Sequence, residues 1–312
     1  MCQTASSRLI TPSCISLSCA TTTMPTISQP FTSPVLFTGV DHEPKNTWIG
    51  YGPPERRLIA KGWTKAEGRR PFAVDTVWEK DVRIPLRDGV ELLGDIFRPT
   101  GSDHEPVPAI MPWSPYGKTG SGMQNLDLFP WRVGVPRAAT SGLEKWEAPD
   151  PAEWVARGYA VVNIDARGSF KSGGDLHVYG TQEGRDGYDC IEWISSQPWC
   201  NERVAMAGNS WLATTQWFIA AEQPPHLTCM APWEGLGDFY RESICRGGIP
   251  DHAFWDVLMA WFCGEYPCVG KHEVLVPCLT VAIFDRAKQT RRCRSNGREV
   301  WDMERILGRQ KA

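Results

Sequence analysis

One stretch limits the architectures open to this chain. Residues 204–221 open with the apolar run Val204-Ala205-Met206-Ala207, cross Gly208-Asn209-Ser210, and continue through Trp211-Leu212-Ala213-Thr214-Thr215-Gln216-Trp217 to Ala221. Asn201 and Glu202 precede the apolar run, and Pro224-Pro225 stop the helix-forming segment. The pattern is a strand, a sharp turn and a helix, with Ser210 at the corner. A serine on such a corner projects its hydroxyl toward the helix start, where backbone N–H groups can receive negative charge. The turn leaves little room for a side chain two residues earlier, and Gly208 meets that need. In the usual G-x-S-x-G spacing a second glycine falls two residues after the serine. Here that position is Leu212, and the small residue is Ala213. Two readings stay open from these residues alone: an exposed nucleophile, or a buried serine at an ordinary strand-to-helix junction.

The flanking chain alternates strands and helices. Around Asp81–Pro99, Val82, Ile84 and Leu86 alternate with polar residues up to Asp88-Gly89, which predicts a β-hairpin. Residues 108–113 form a short apolar strand that delivers Ser114-Pro115-Tyr116-Gly117-Lys118 at its carboxyl end. Ligands bind outside the carboxyl ends of strands in open α/β sheets, so Tyr116 is placed to reach a site; a plain turn tyrosine is the alternative. After a loop over 119–150, residues 151–158 predict a short helix closed by Gly158, and 159–165 a strand. The glycine-rich loop behind it, 166–174, lacks the phosphate-loop spacing G-x-x-x-x-G-K-[ST]. Residues 183–197 predict a helix with Tyr188, Ile191 and Ile194 on one face, stopped by Pro198. Such alternation predicts an α/β fold, a mostly parallel sheet with helices on both faces.

Composition narrows function further. The chain has 312 residues, 42% hydrophobic, and a net charge of -3, enough for one large domain with an appendage and without a basic balance pointing to nucleic acid. No apolar run approaches the roughly 20 residues of a membrane span, so the expectation is a cytoplasmic protein with no membrane partner. The 11 cysteines contain no C-x-x-C pair and read as small buried hydrophobes, not as a zinc site or disulfide framework. Residues 1–46 are rich in Ser, Thr and Pro with no acid before Asp41, which predicts a disordered leader; 47–75 predict a turn-rich segment wrapping the domain, and 76–285 the folded core.

Four blocks resemble the family that joins cocaine-esterase-type hydrolases (CocE/NonD), α-amino-acid ester hydrolases and Xaa-Pro dipeptidyl-peptidases. They are Arg87-Asp88-Gly89 with Arg98-Pro99, Ser114-Pro115-Tyr116-Gly117-Lys118, Arg157-Gly158 through Asp165-Ala166-Arg167-Gly168, and Trp193 through Pro198-Trp199-Cys200 to Gly208-Asn209-Ser210-Trp211 and Trp217. The resemblance spans roughly residues 75–245, and the family's aromatic residue after the serine and small residue three after it match Trp211 and Ala213. It implies an α/β-hydrolase fold and a serine hydrolase acting on small esters, amides or peptides through an acyl-serine intermediate, without a cofactor. It implies Ser210 as nucleophile, with Tyr116 and the Trp211 backbone N–H as oxyanion donors.

The remaining catalytic groups are harder to place. In this fold the chain order is serine, acid, histidine. The strand expected to carry the acid is 274–285, with Asp285 at its end, and no histidine follows it. His226, His252 and His272 all come earlier and read as structural. The lid expected near 241–269 is short, and the family's C-terminal β-sandwich has no counterpart, which leaves the C-terminal part incomplete. Residues 286–312 turn abruptly basic, and we expect a solvated tail that a shifted reading frame or retained intron would explain. The alternative function is a non-catalytic, truncated or degenerate hydrolase-fold protein. Oligomeric state is left open by the sequence.

Overall fold

A computed structural model describes residues 36–38, 54–119, 126–128, 130–251, 254–255 and 274–276. Its strands are β1 (Leu36–Thr38), β2 (Glu55–Ile59), β3 (Thr76–Pro85), β4 (Glu91–Pro99), β5 (Val107–Ile110), β6 (Trp113–Ser114), β7 (Ala160–Asp165), β8 (Leu176–His177), β9 (Cys200–Asn209), β10 (Leu227–Trp233), β11 (Cys245–Arg246), β12 (Ile249–Pro250) and β13 (Val274–Val276). The α-helices are α1 (Pro151–Val155), α2 (Thr181–Ser195) and α3 (Trp211–Ala221).

The main sheet runs β10-β9-β5-β7-β4-β3-β2, with β6 also paired to β7. Its pairings from β10 to β7 are parallel, and those from β7 out to β2 are antiparallel. The half that carries Ser210 is therefore the parallel half expected of an α/β-hydrolase fold. All six residues of β7 are buried, the polar Asn163 and Asp165 included, so the strand does not alternate between a buried and an exposed face. On one face Val161 packs with Phe97, Phe72, Trp78 and, from α1, Ala152 and Val155. On the other, Ala160, Val162 and Ile164 pack with Cys190, Ile191 and Ile194 of α2 and Ile219 of α3. Helices thus cover both faces, as predicted.

Local chemistry explains the element boundaries. The β3–β4 hairpin turns at Gly89, whose φ is 85°, a left-handed value that costs glycine nothing. A bulge between Glu79 and Val82 turns Asp81 inward, and its backbone N–H donates to Asp95 Oδ1 at 3.0 Å. The single strand expected over 108–113 is instead β5 and β6, because Pro112 offers no N–H to the ladder between them. Helix α1 starts with Pro151 behind Asp150, whose Oδ1 accepts the Ala152 amide at 2.8 Å.

Helix α2 starts two residues earlier than expected, and its buried stripe differs. Tyr188 is only half-buried, under the Arg87 guanidinium at 4.9 Å; the buried positions include Gly184, Gly187 and Cys190. A Cβ on Gly187 would lie 2.3 Å from Ile219 Cδ1. The close approach of α2 to α3 therefore depends on residues that add nothing to a hydrophobic pattern.

Three expectations meet the structure only in part. The described portion of the 47–75 segment begins with β2, an edge strand carrying Arg56 and Arg57, and charged residues suit an exposed edge. Within the expected leader, Leu36–Thr38 is a strand antiparallel to β13, and the rest lies outside the described residues. Residues Val274–Val276 of the expected acid strand pair with β1 and β8 in a small separate sheet, not with the main one. Asp285, His252, His272 and the basic tail lie outside the described residues. No helix among the described residues is long and apolar enough to cross a membrane.

Candidate active site

Ser210 sits between β9 and α3 at φ 58° and ψ -115°. This is a strained conformation for a residue with a Cβ, costing on the order of 1–3 kcal/mol, so the surroundings must impose it. The Ser210 amide donates to the Trp233 carbonyl at 3.0 Å, joining the corner to the end of β10. Its own carbonyl accepts the amides of Ala213 and Thr214, both at 3.0 Å, and so begins α3. A Cβ on Gly208 would meet Leu212 Cβ at 2.5 Å. Leu212 occupies the space that Gly208 leaves, and Ala213 lies against Gly235, where a Cβ would be 3.3 Å from Ala213 Cβ. The departure from G-x-S-x-G thus has a packing reason: the leucine closes the turn from below, and the small residue is needed one position later.

Tyr116 leaves the end of β6 and reaches the same place. Its hydroxyl is hydrogen-bonded to the Ser210 side chain, and it is 8% exposed. Burial pushes its hydroxyl well above the ordinary tyrosine range, aided by the negative charge of Glu147 and opposed by the Ser210 hydrogen bond. Its ring lies edge-on to Trp211, 6.0 Å between centroids. Beneath this loop the buried Lys145 Nζ donates to the Ser114 carbonyl at 2.9 Å and the Ile164 carbonyl at 2.5 Å, clamping the ends of β6 and β7. Burial lowers Lys145 to about 8, and Asp165 opposes that. Lys118, two residues after Tyr116, is held by Asp81 at 2.6 Å and Asp95 at 2.7 Å, all buried. Ion pairs on one side and a bidentate lysine on the other leave the Tyr116 loop little freedom.

Ser210 and Tyr116 open on a cavity of about 230 Å³ whose wall also includes Glu147, Tyr179, Glu234 and Trp255. The sequence singled out none of these four. Glu147 lies in a loop without periodicity, and its φ of 62° is as unusual as that of Ser210. Its carbonyl accepts the Asn209 amide at 3.0 Å and its Oε1 accepts Asn209 Nδ2 at 3.3 Å, so it grips the residue before Ser210 twice. Burial raises its carboxyl to about 7, opposed by the Asn209 hydrogen bond and reinforced by the charge of Glu234. Glu183, behind the cavity, is also raised to about 7 by burial, opposed by hydrogen bonds from two indoles.

Of the four residues expected in the site, three meet: Ser210, Tyr116 and Trp211. Asp285 lies outside the described residues. His226 is elsewhere, ahead of β10, with Nδ1 2.7 Å from Glu192 Oε2, in keeping with its structural reading. Among the described residues, Cys190, Cys200 and Cys245 are buried free thiols, as the composition suggested, while Cys229 is exposed. No group of three or more His, Cys, Asp or Glu side chains among them could hold a metal ion.

The chain is similar to known proteins. The family model described as X-Pro dipeptidyl-peptidase (S15 family) matches residues 88–263. The cocaine esterase of Rhodococcus sp. (strain MB1 Bresler) is 34% identical over 161 residues, 52% of this chain and 24% of that protein. A solved CocE/NonD family hydrolase from Staphylococcus aureus superposes with a TM-score of 0.56 at 35% identity, over 69% of this chain and 36% of that one. A second structure of that hydrolase gives 0.54 at 39% identity, over 59% of this chain and 32% of that one. The chain spans about a quarter of the length of the esterase it matches.

Proposed function

The chain belongs to the X-Pro dipeptidyl-peptidase (S15) family, and on that premise we propose that it is a serine hydrolase cleaving a small ester, amide or peptide through an acyl-serine intermediate. One observation carries the reading: a serine held at positive φ on a strand-to-helix corner, hydrogen-bonded to a buried tyrosine and open to a cavity. In the proposed reaction the Ser210 Oγ attacks the acyl carbon and its proton passes to a base. The carbonyl oxygen becomes an oxyanion, stabilised by the Tyr116 hydroxyl and the Trp211 backbone N–H. One such donor is worth about 3 to 4 kcal/mol of barrier. The leaving alcohol or amine takes up the proton, and water then cleaves the acyl-serine bond, returning Ser210. Asp285 is the proposed acid of the triad, orienting the base.

A second reading keeps the fold without turnover, and the pairing of His226 with Glu192, which leaves that imidazole ahead of β10 and not at Ser210, favours it. A fluorophosphonate probe separates the two. Labelling of the wild type that disappears in Ser210→Ala supports the hydrolase, whereas folded protein that stays unlabelled supports the second reading.

A further inference from the structure

Glu183 lies in the first turn of α2, is 2% exposed, and does not line the cavity. Its Oε1 accepts the indole N–H groups of both Trp113 and Trp211, each at 3.1 Å. Its Oε2 accepts the Tyr179 amide at 2.7 Å. One carboxylate therefore joins the first residue of β6, the strand that leads to Tyr116, with the residue after Ser210 and the loop into α2. Three N–H donors around an acceptor-only group match the ionised form, although burial opposes it. A buried charge of this kind is a poor source of stability, because apolar replacements of similar volume are often as stable. What it provides is geometry.

We propose that Glu183 is a positioning residue for the reaction at Ser210: by holding the Trp211 indole it sets the first residue of α3, whose amide faces the reacting carbonyl, and the wall against which Tyr116 rests. Trp211 is 1% exposed, with Tyr116 edge-on to one part of it and Tyr179 at 4.4 Å from its centroid. Both oxyanion donors thus lean on one indole, and that indole on one carboxylate. The inference rests on Ser210 being the nucleophile, but the placement of Trp211 can be read without any activity.

Glutamine is not an innocent replacement at this position. Its carbonyl can accept both indoles only if its amide N–H groups face the Tyr179 N–H, donor against donor; flipped, it loses the indoles instead. Aspartate keeps the charge but is one methylene short. Misplacement of a reacting group by about an ångström costs up to roughly a hundredfold in rate. We therefore expect Glu183→Gln to react with a fluorophosphonate at least about tenfold more slowly than wild type, with Glu183→Asp between them. Where a turnover substrate exists, kcat should fall and KM stay within about twofold.

In parallel, ¹⁵N-tryptophan NMR, assigned with Trp211→Phe, should show the Trp211 amide and indole signals displaced in Glu183→Gln while circular dichroism stays native. Displaced signals with slowed labelling support the inference. Unmoved Trp211 signals, or a labelling rate equal to wild type, overturn it. If the wild type itself does not label, the hydrolase reading fails, and the NMR signals alone decide whether Glu183 positions Trp211.

Discussion

Replacing Glu147 by glutamine should stabilise the protein, and only at the higher pH values. Burial, with the charge of Glu234, raises the Glu147 carboxyl from 4.5 to about 7. Below pH 4.5 the group is protonated in the folded and unfolded states alike and contributes nothing. Between pH 4.5 and 7 the unfolded chain releases the proton while the folded one keeps it, so stability falls as pH rises. Above pH 7 the whole cost is present, on the order of 3 kcal/mol from a rise of that size. Glutamine carries no charge to bury, and its carbonyl oxygen can still accept Asn209 Nδ2, so most of that cost should vanish. Urea unfolding of wild type and Glu147→Gln at pH 4.5 and pH 8.5 measures it. We expect near-equal stabilities at the lower value and an advantage of about 1–3 kcal/mol for the variant at the higher. A variant that is equally favoured at both pH values, or less stable at pH 8.5, would refute the assignment of a buried, charge-averse Glu147.

Other changes test separate parts of the account. Tyr116→Phe should lower kcat by about a hundredfold or more, measured with any ester the protein turns over, because it removes the proposed oxyanion donor; an unchanged rate would remove Tyr116 from that site. Gly208→Ala should destabilise by about 1–3 kcal/mol in thermal or urea unfolding, since its Cβ would sit 2.5 Å from Leu212 Cβ. Asp150→Ala should cost about 1 kcal/mol, by the same assay, through loss of the cap on α1.

The corner at Ser210 is legible in the sequence because its requirements are local: an apolar strand, a side-chain-free position at Gly208 and a helix that begins at once. β7 and the β3–β4 hairpin are legible for the same reason. What the sequence hides depends on contacts distant in the chain. Gly184 and Gly187 look like weak helix residues until Phe218 and Ile219 are seen against them. Glu183 reads as an ordinary acid in a first helical turn, and only the convergence of Trp113 and Trp211 on it, 70 and 28 residues away, gives it a task. Glu147 stands in a loop with no repeating pattern, and its place beside Asn209 is set by a contact spanning 62 residues. Pro112 breaks a strand by a local rule, but the apolar residues around it mask the break.

The most direct measurement is to find where an active-site phosphonate attaches. After reaction with a fluorophosphonate and tryptic digestion, the account places the added mass on Ser210, within the peptide of residues 204–241, absent in Ser210→Ala and formed more slowly in Tyr116→Phe. An adduct on another residue, or one that persists unchanged in Ser210→Ala, would contradict it.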